Sequence, residues 1–259
     1  MEITSAQNAR IKRLLALQQK SSERRRERLF VVEGLRELRH CLEAGFQVES
    51  VFLCPALLQA DVPTALKDME PTVIPPELYE KVAYRGSTEG IIAIVRQRCL
   101  TLDDLTLQKK APLIVVLESV EKPGNLGAVL RSADAAGADA VIVCDPLTDL
   151  YNPNLIRSSI GAVFTVPTVA CSSQDCIRFL KRHDICILTA QLQDSHLYYH
   201  IDMRCPTAIV MGTESTGLTT QWREAADAHI RIPMLGQLDS LNVSVSAAIL
   251  LYEAVRQRQ

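Results

Sequence analysis

Three polar segments hold the side chains best suited to act on a substrate. The first contains Asn125 and, six residues on, Arg131, in a stretch otherwise made of Leu126, Ala128, Val129, Leu130 and Ala133. The second runs through Gly212, Thr213, Glu214, Ser215, Thr216 and Gly217. The third passes Ile232, Pro233 and Met234, then Asp239, Ser240, Leu241 and Asn242. Arginine supplies a permanent cation that stabilises a developing oxyanion. Asparagine and serine orient groups by hydrogen bonds, and glycine lets the backbone approach a ligand closely. Each segment also has an ordinary explanation. Pro123 and Gly124 make a turn that Asn125 caps, Glu214 sits favourably near a helix N-terminus, and Asn242 caps a helix. Neither glycine segment is a known nucleotide fingerprint. Gly124 and Gly127 do not fit Gly-x-Gly-x-x-Gly, and 212–217 lacks the Lys-Ser/Thr ending of a phosphate loop.

The elements that must position these segments are legible in the apolar pattern. Near-continuous apolar runs at 113–117, 140–144, 185–189, 207–211 and 229–233 alternate with helical stretches. That pattern predicts a parallel sheet covered on both faces. Ligands bind such sheets at the carboxyl ends of the strands, which is where segments 118–126, 212–218 and 234–242 fall. The last helix, 243–256, is apolar around its first three turns and is expected to be deeply buried. In the first hundred residues the spacing predicts helices at 6–19, 35–44 and 76–84 and strands at 29–32, 48–53 and 90–95. Residues 96–111 are polar without a burial pattern. The expected division is a domain at 1–100, a linker at 101–111 and a second domain at 112–259.

Of 259 residues, 47% are hydrophobic and 22% charged, which fits a globular chain with a sizeable core. No apolar run approaches the roughly 18 residues of a membrane span, and the polar N-terminus has no signal-peptide core. The expectation is a cytoplasmic protein without membrane contact. Eight cysteines occur without Cys-x-x-Cys spacing, several inside apolar stretches, so they are expected as free, buried hydrophobes rather than metal ligands. His196 and His200 are four apart, but Leu197, Tyr198 and Tyr199 between them read as packing, and no metal is expected. The net charge is −2, yet eight basic and only two acidic residues lie between Arg10 and Arg28. A basic end on an acidic body suits a polyanion, and Arg24, Arg25, Arg26 and Arg28 are its expected RNA contacts. The bland alternative is a solvated helix end.

Taken together, Asn125 with Arg131, Gly212 with Glu214 and Gly217, and Ile232, Met234, Ser240 and Asn242 resemble the three signature motifs of the SpoU/TrmH branch of the SPOUT methyltransferases. Order and spacing match across about 112–256. The first hundred residues resemble, more loosely, the small α/β substrate-binding domain related to a ribosomal-protein fold that precedes this branch. The resemblance implies an α/β, parallel-sheet catalytic domain tied in a deep trefoil knot. It implies methyl transfer from S-adenosylmethionine to a ribose 2′-hydroxyl of structured RNA, ribosomal or transfer, by a homodimer. Gly212, Ile232, Met234 and Leu241 would then line the cofactor pocket, and Asn125, Arg131, Glu214, Ser240 and Asn242 would face the ribose. Two alternatives stay open: a non-catalytic RNA-binding adaptor on the same fold, and a methyltransferase acting on a base.

Overall fold

The computed structural model describes residues 1–84, 89–213 and 216–259. The chain divides into two compact units, Met1–Arg98 with Asp149–Thr165, and Cys99–Thr148 with Val166–Gln259.

In the first unit α1 (Ala9–Gln19) starts at Asn8, whose side chain accepts from the Arg10 N–H and satisfies one of the open donors of the first turn. Its Ile11, Leu14 and Leu17 are fully buried. There follow α2 (Ser21–Glu27), β1 (Leu29–Glu33), α3 (Leu35–Glu43), β2 (Val48–Leu53), β3 (Thr72–Val73), α4 (Pro76–Val82) and β4 (Ile91–Arg96). The sheet order is β1-β4-β2-β3, with β4 antiparallel to both β1 and β2. Central β4 is apolar and buried from Ile91 to Val95 because both sheet faces are covered there, and only its last residue, Arg96, is exposed. Ile92 and Ile94 join Ile11, Leu14, Leu78 and Tyr79 in one core.

In the second unit seven strands lie in one parallel sheet, in the order β7-β6-β5-β10-β8-β11-β9. They are β5 (Leu113–Glu118), β6 (Ala140–Cys144), β7 (Thr168–Cys171), β8 (Cys186–Ala190), β9 (His196–Leu197), β10 (Thr207–Met211) and β11 (Ala228–Arg231). Every residue of β5, β6 and β10 is buried. Helix α5 (Pro123–Ala135) follows β5 and packs against the final helix, α10 (Val243–Arg258). Helices α8 (Ser173–Arg182) and α9 (Thr220–Ala225) share the other core with Ile114, Val116, Ile142 and Trp222.

Between β6 and β7 the chain joins the first unit through α6 (Pro153–Ser158) and α7 (Ala162–Thr165). Tyr151 stacks on Phe30 at 4.4 Å between ring centroids, and Phe164 lies 5.2 Å from Phe46. The expected division at 96–111 misses this excursion. Residues 101–111 also pack as part of the second unit, with Leu102, Leu105 and Leu107 against its core. Among the described residues no helix is long and apolar enough to cross a membrane.

Helix α10 departs from the expected full burial. Val243, Ala247, Leu250, Leu251 and Ala254 are buried, but Val245 and Tyr252 are 47% and 51% exposed.

Candidate active site

At the carboxyl ends of β8, β10 and β11 the chain leaves a cleft of about 350 Å³. Its walls come from three loops and the start of α10, and include Gly212, Ile232, Met234, Ser240 and Leu241. The β10 loop turns sharply back on itself. Gly217 has φ +68°, its N–H donates to the Thr213 carbonyl at 3.1 Å, and the Thr213 and Thr216 hydroxyls meet at 2.7 Å. A Cβ added at Gly212 would lie 2.3 Å from the Gly217 carbonyl carbon and oxygen, so only glycine permits this closure. The far end of the loop is fixed by Glu118, the last residue of β5. Its buried carboxylate accepts from the Thr219 N–H at 2.8 Å and from the Thr219 hydroxyl at 2.6 Å.

A smaller space of about 140 Å³ adjoins this cleft and shares Gly212, Thr213 and Val243 with it. Val120, Glu121, Lys122 and Asn125 complete its walls. Here the first and third segments meet. The Asn242 amide donates to Asn125 Oδ1 at 3.2 Å across 117 residues. Asn242 also caps α10, accepting at Oδ1 from the Ser244 N–H at 3.0 Å and the Ser244 hydroxyl at 2.6 Å. Local capping and long-range contact thus fix its side chain together.

Seven of the expected site residues therefore converge: Asn125, Gly212, Ile232, Met234, Ser240, Leu241 and Asn242. Glu214 lies outside the described residues. Arg131 does not converge with them. It is exposed on α5, lines neither space, and has no hydrogen-bond or ion-pair partner among the described residues. Six residues beyond Asn125 it is roughly 9 Å further along the helix and well around its axis, so it does not point back into the crevice.

The basic segment splits. Arg25, Arg26 and Arg28 are exposed, but Arg24 is only 2% exposed. Its guanidinium pairs with Asp149 at 2.6 Å and donates to the Leu17 and Gln18 carbonyls at 2.7 and 3.0 Å. Arg24 is a structural cation rather than an RNA contact, because it is buried and its Nε and Nη1 are bonded inside the unit. His196 lies in β9 and His200 closes a 3₁₀ turn, so the two do not share a helical face.

The sequence missed the loop after β8. Gln191 and Leu192 line the cleft. The Gln191 amide donates to the Gln193 carbonyl at 2.9 Å, while buried Gln191 Oε1 has no partner among the described residues. The available signal was the topology rule itself: β8 ends beside β10 and β11, so its loop belongs to the same crevice. An unpaired acceptor, a backbone cradle that a Cβ would fill, and apolar walls fit a ligand with a flat, donor-bearing apolar group such as the adenine of S-adenosylmethionine.

Residues 112–252 match the SpoU rRNA Methylase family, and residues 8–93 match the MRM3-like substrate binding domain. The 23S rRNA (guanosine-2′-O-)-methyltransferase RlmB of Bordetella pertussis is 39% identical over 175 residues, 66% of this chain and 71% of that protein. A crystallised RNA 2′-O ribose methyltransferase is 40% identical, with coverage of 100% of this chain and 99% of its own and a TM-score of 0.82. The AdoMet-bound rRNA methyltransferase of Sinorhizobium meliloti is 29% identical, with 99% and 97% coverage and a TM-score of 0.89. With a family match over more than half its length, the chain belongs to the SpoU rRNA methylase family and is an S-adenosylmethionine-dependent RNA 2′-O-methyltransferase.

Proposed function

We propose that this chain methylates a ribose 2′-hydroxyl of ribosomal RNA, with the reacting ribose held in the smaller space beside Asn125 and Asn242. The observation that carries this reading is the Asn125–Asn242 contact at the border of the larger cleft. Bound in that cleft, S-adenosylmethionine supplies a sulfonium-activated methyl group. Gly212, Ile232, Met234 and Leu241 line the adenosine side, and Gln191 Oε1 accepts from the ligand. Asn125, Ser240 and Asn242 orient the ribose by hydrogen bonds, and Glu214 orients that network. Arginine is too weak an acid to serve readily as a base. Arg131 acts instead as a cation for the developing 2′-alkoxide once RNA draws it in by a phosphate. Arg25, Arg26 and Arg28 contact phosphates from the first domain, residues 1–100, which selects the substrate. The 112–259 segment, apart from its 149–165 excursion, is the catalytic domain.

The insertion of β10 between β5 and β8 supports the expected trefoil knot. Exposed Val245 and Tyr252, with half-buried Ile249 between them on the same face of α10, support a homodimer through this domain. Eight free cysteines support a cytoplasmic setting.

The test is transfer of labelled methyl from S-adenosylmethionine to ribosomal RNA fragments, followed by alkaline hydrolysis. Label in alkali-stable dinucleotides is expected, because a 2′-O-methyl blocks cleavage. Label in mononucleotides would mean base methylation. No label from protein that still binds the cofactor would return the adaptor reading.

A further inference from the structure

The carboxyl ends of β6 and β7 bring together a group that the methyl-transfer reading does not use. Cys144 closes β6 and Cys171 closes β7, and the two are register partners in the parallel ladder. Cys176 reaches the same point from the first turns of α8. All three sulfurs lie within 4.8 Å of one another. Three thiolates around one ion at the usual metal–sulfur distance of about 2.3 Å sit about 4 Å apart when the ion is trigonal. The cluster therefore needs only a small contraction to close on a cation.

We propose that Cys144, Cys171 and Cys176 form a three-thiolate site for a thiophilic d10 cation, Cu(I) or Zn(II). All-sulfur donor sets select such ions over hard ones. Helix α8, capped by Ser172, starts immediately after Cys171 and carries Cys176 in its first turn, so the positive end of its dipole lies beside the cluster. Cys171 is also the half-buried member and lies on the wall of an open cleft with Thr101, Asp103 and Asp175, which gives an ion an entry path. Cys144 and Cys176 are buried, so the ion would be shielded on its inner side. Each sulfur that bonds the ion while still carrying its proton releases that proton to solvent. The nearest carboxylates are engaged elsewhere, Asp145 with the Ser173 hydroxyl at 2.6 Å and Asp175 with the Ser172 hydroxyl at 2.6 Å and with Arg178. Cu(I) is satisfied by the three sulfurs, whereas Zn(II) would take a water through the Cys171 side as its fourth ligand.

The experiment uses the reduced, metal-free full chain under anaerobic conditions. It is titrated with Cu(I) against a chromophoric chelator and, separately, with Zn(II). One equivalent of either ion per chain is expected. Cys171→Ser should weaken that binding by more than about 100-fold, beyond what loss of a second-layer partner costs. The serine is nearly isosteric, and unchanged S-adenosylmethionine affinity reports that the variant is folded. Cys99→Ser with Cys205→Ser, which removes the two exposed thiols, should bind as wild type. Absence of binding by both ions, undiminished binding in Cys171→Ser, or loss of binding in the Cys99/Cys205 variant would each overturn the proposal.

Discussion

Arg131 sets the sharpest question at the scale of single residues, because it sits apart from the groups it is meant to assist. Asn125, Asn242 and Gly212 are held in place by contacts already present in the free protein, whereas Arg131 is open to solvent. An electrostatic role predicts graded effects. Arg131→Ala should lower single-turnover methylation about 100- to 1,000-fold. Arg131→Lys should keep part of the rate, since it retains charge but loses the planar fork. Cofactor affinity should stay unchanged in both, because Arg131 does not line the cleft. Wild-type rates in the alanine variant would remove Arg131 from the reaction. A lysine variant as slow as alanine would favour geometry over charge.

Elements position these groups through buried polar ties whose partners lie far apart in the chain. Glu118 anchors the β10 loop at Thr219, 101 residues later. Glu118→Ala leaves the Thr219 N–H and hydroxyl without their acceptor. The expected cost is about 1–3 kcal/mol in urea unfolding, accompanied by weaker S-adenosylmethionine binding as the loop loosens. Calorimetry showing wild-type affinity would detach that tie from the cofactor. In the first unit Arg24 joins α2 to the segment before α6. Arg24→Met strands a partly buried Asp149, and about 3–5 kcal/mol of stability should be lost. Replacing Arg25, Arg26 and Arg28 with glutamine should leave stability nearly unchanged. RNA affinity should fall, and its salt dependence should flatten by up to three phosphate contacts. Unaltered RNA binding in that triple variant would make the segment a solvated face.

For the molecule as a whole, the uncovered side of α10 matters most. Apolar side chains on a helix are ordinarily covered, yet Val245 and Tyr252 on one face of α10 are left open. If this face joins two copies as proposed, Val245→Asp with Tyr252→Glu places charges on it and should shift sedimentation from dimer to monomer without unfolding. A wild-type monomer at micromolar concentration would end the dimer reading.

Much of this organisation was legible in the sequence because it rests on local periodicity. Strands β5, β6 and β10 stand out as unbroken apolar runs, since a central parallel strand buries both faces. Asn242 announces its helix because a cap acts on the next two or three residues. The three motif segments could be assigned to one crevice once they were seen to follow strands. What stayed hidden depends on partners remote in the chain. Strands β3 and β9 are two residues long and exist only because a neighbour offers its edge. Arg24 looked like the surface arginines beside it, and only Asp149, 125 residues away, turns it inward. The three cysteines lack any metal-like spacing, since two strand ends and a helix bring them together. Side-chain type and local period determined which elements form and where the crevice opens. Which face of each element is covered, and by what, was decided only by long-range packing, because burial depends on the partner and not on the residue alone.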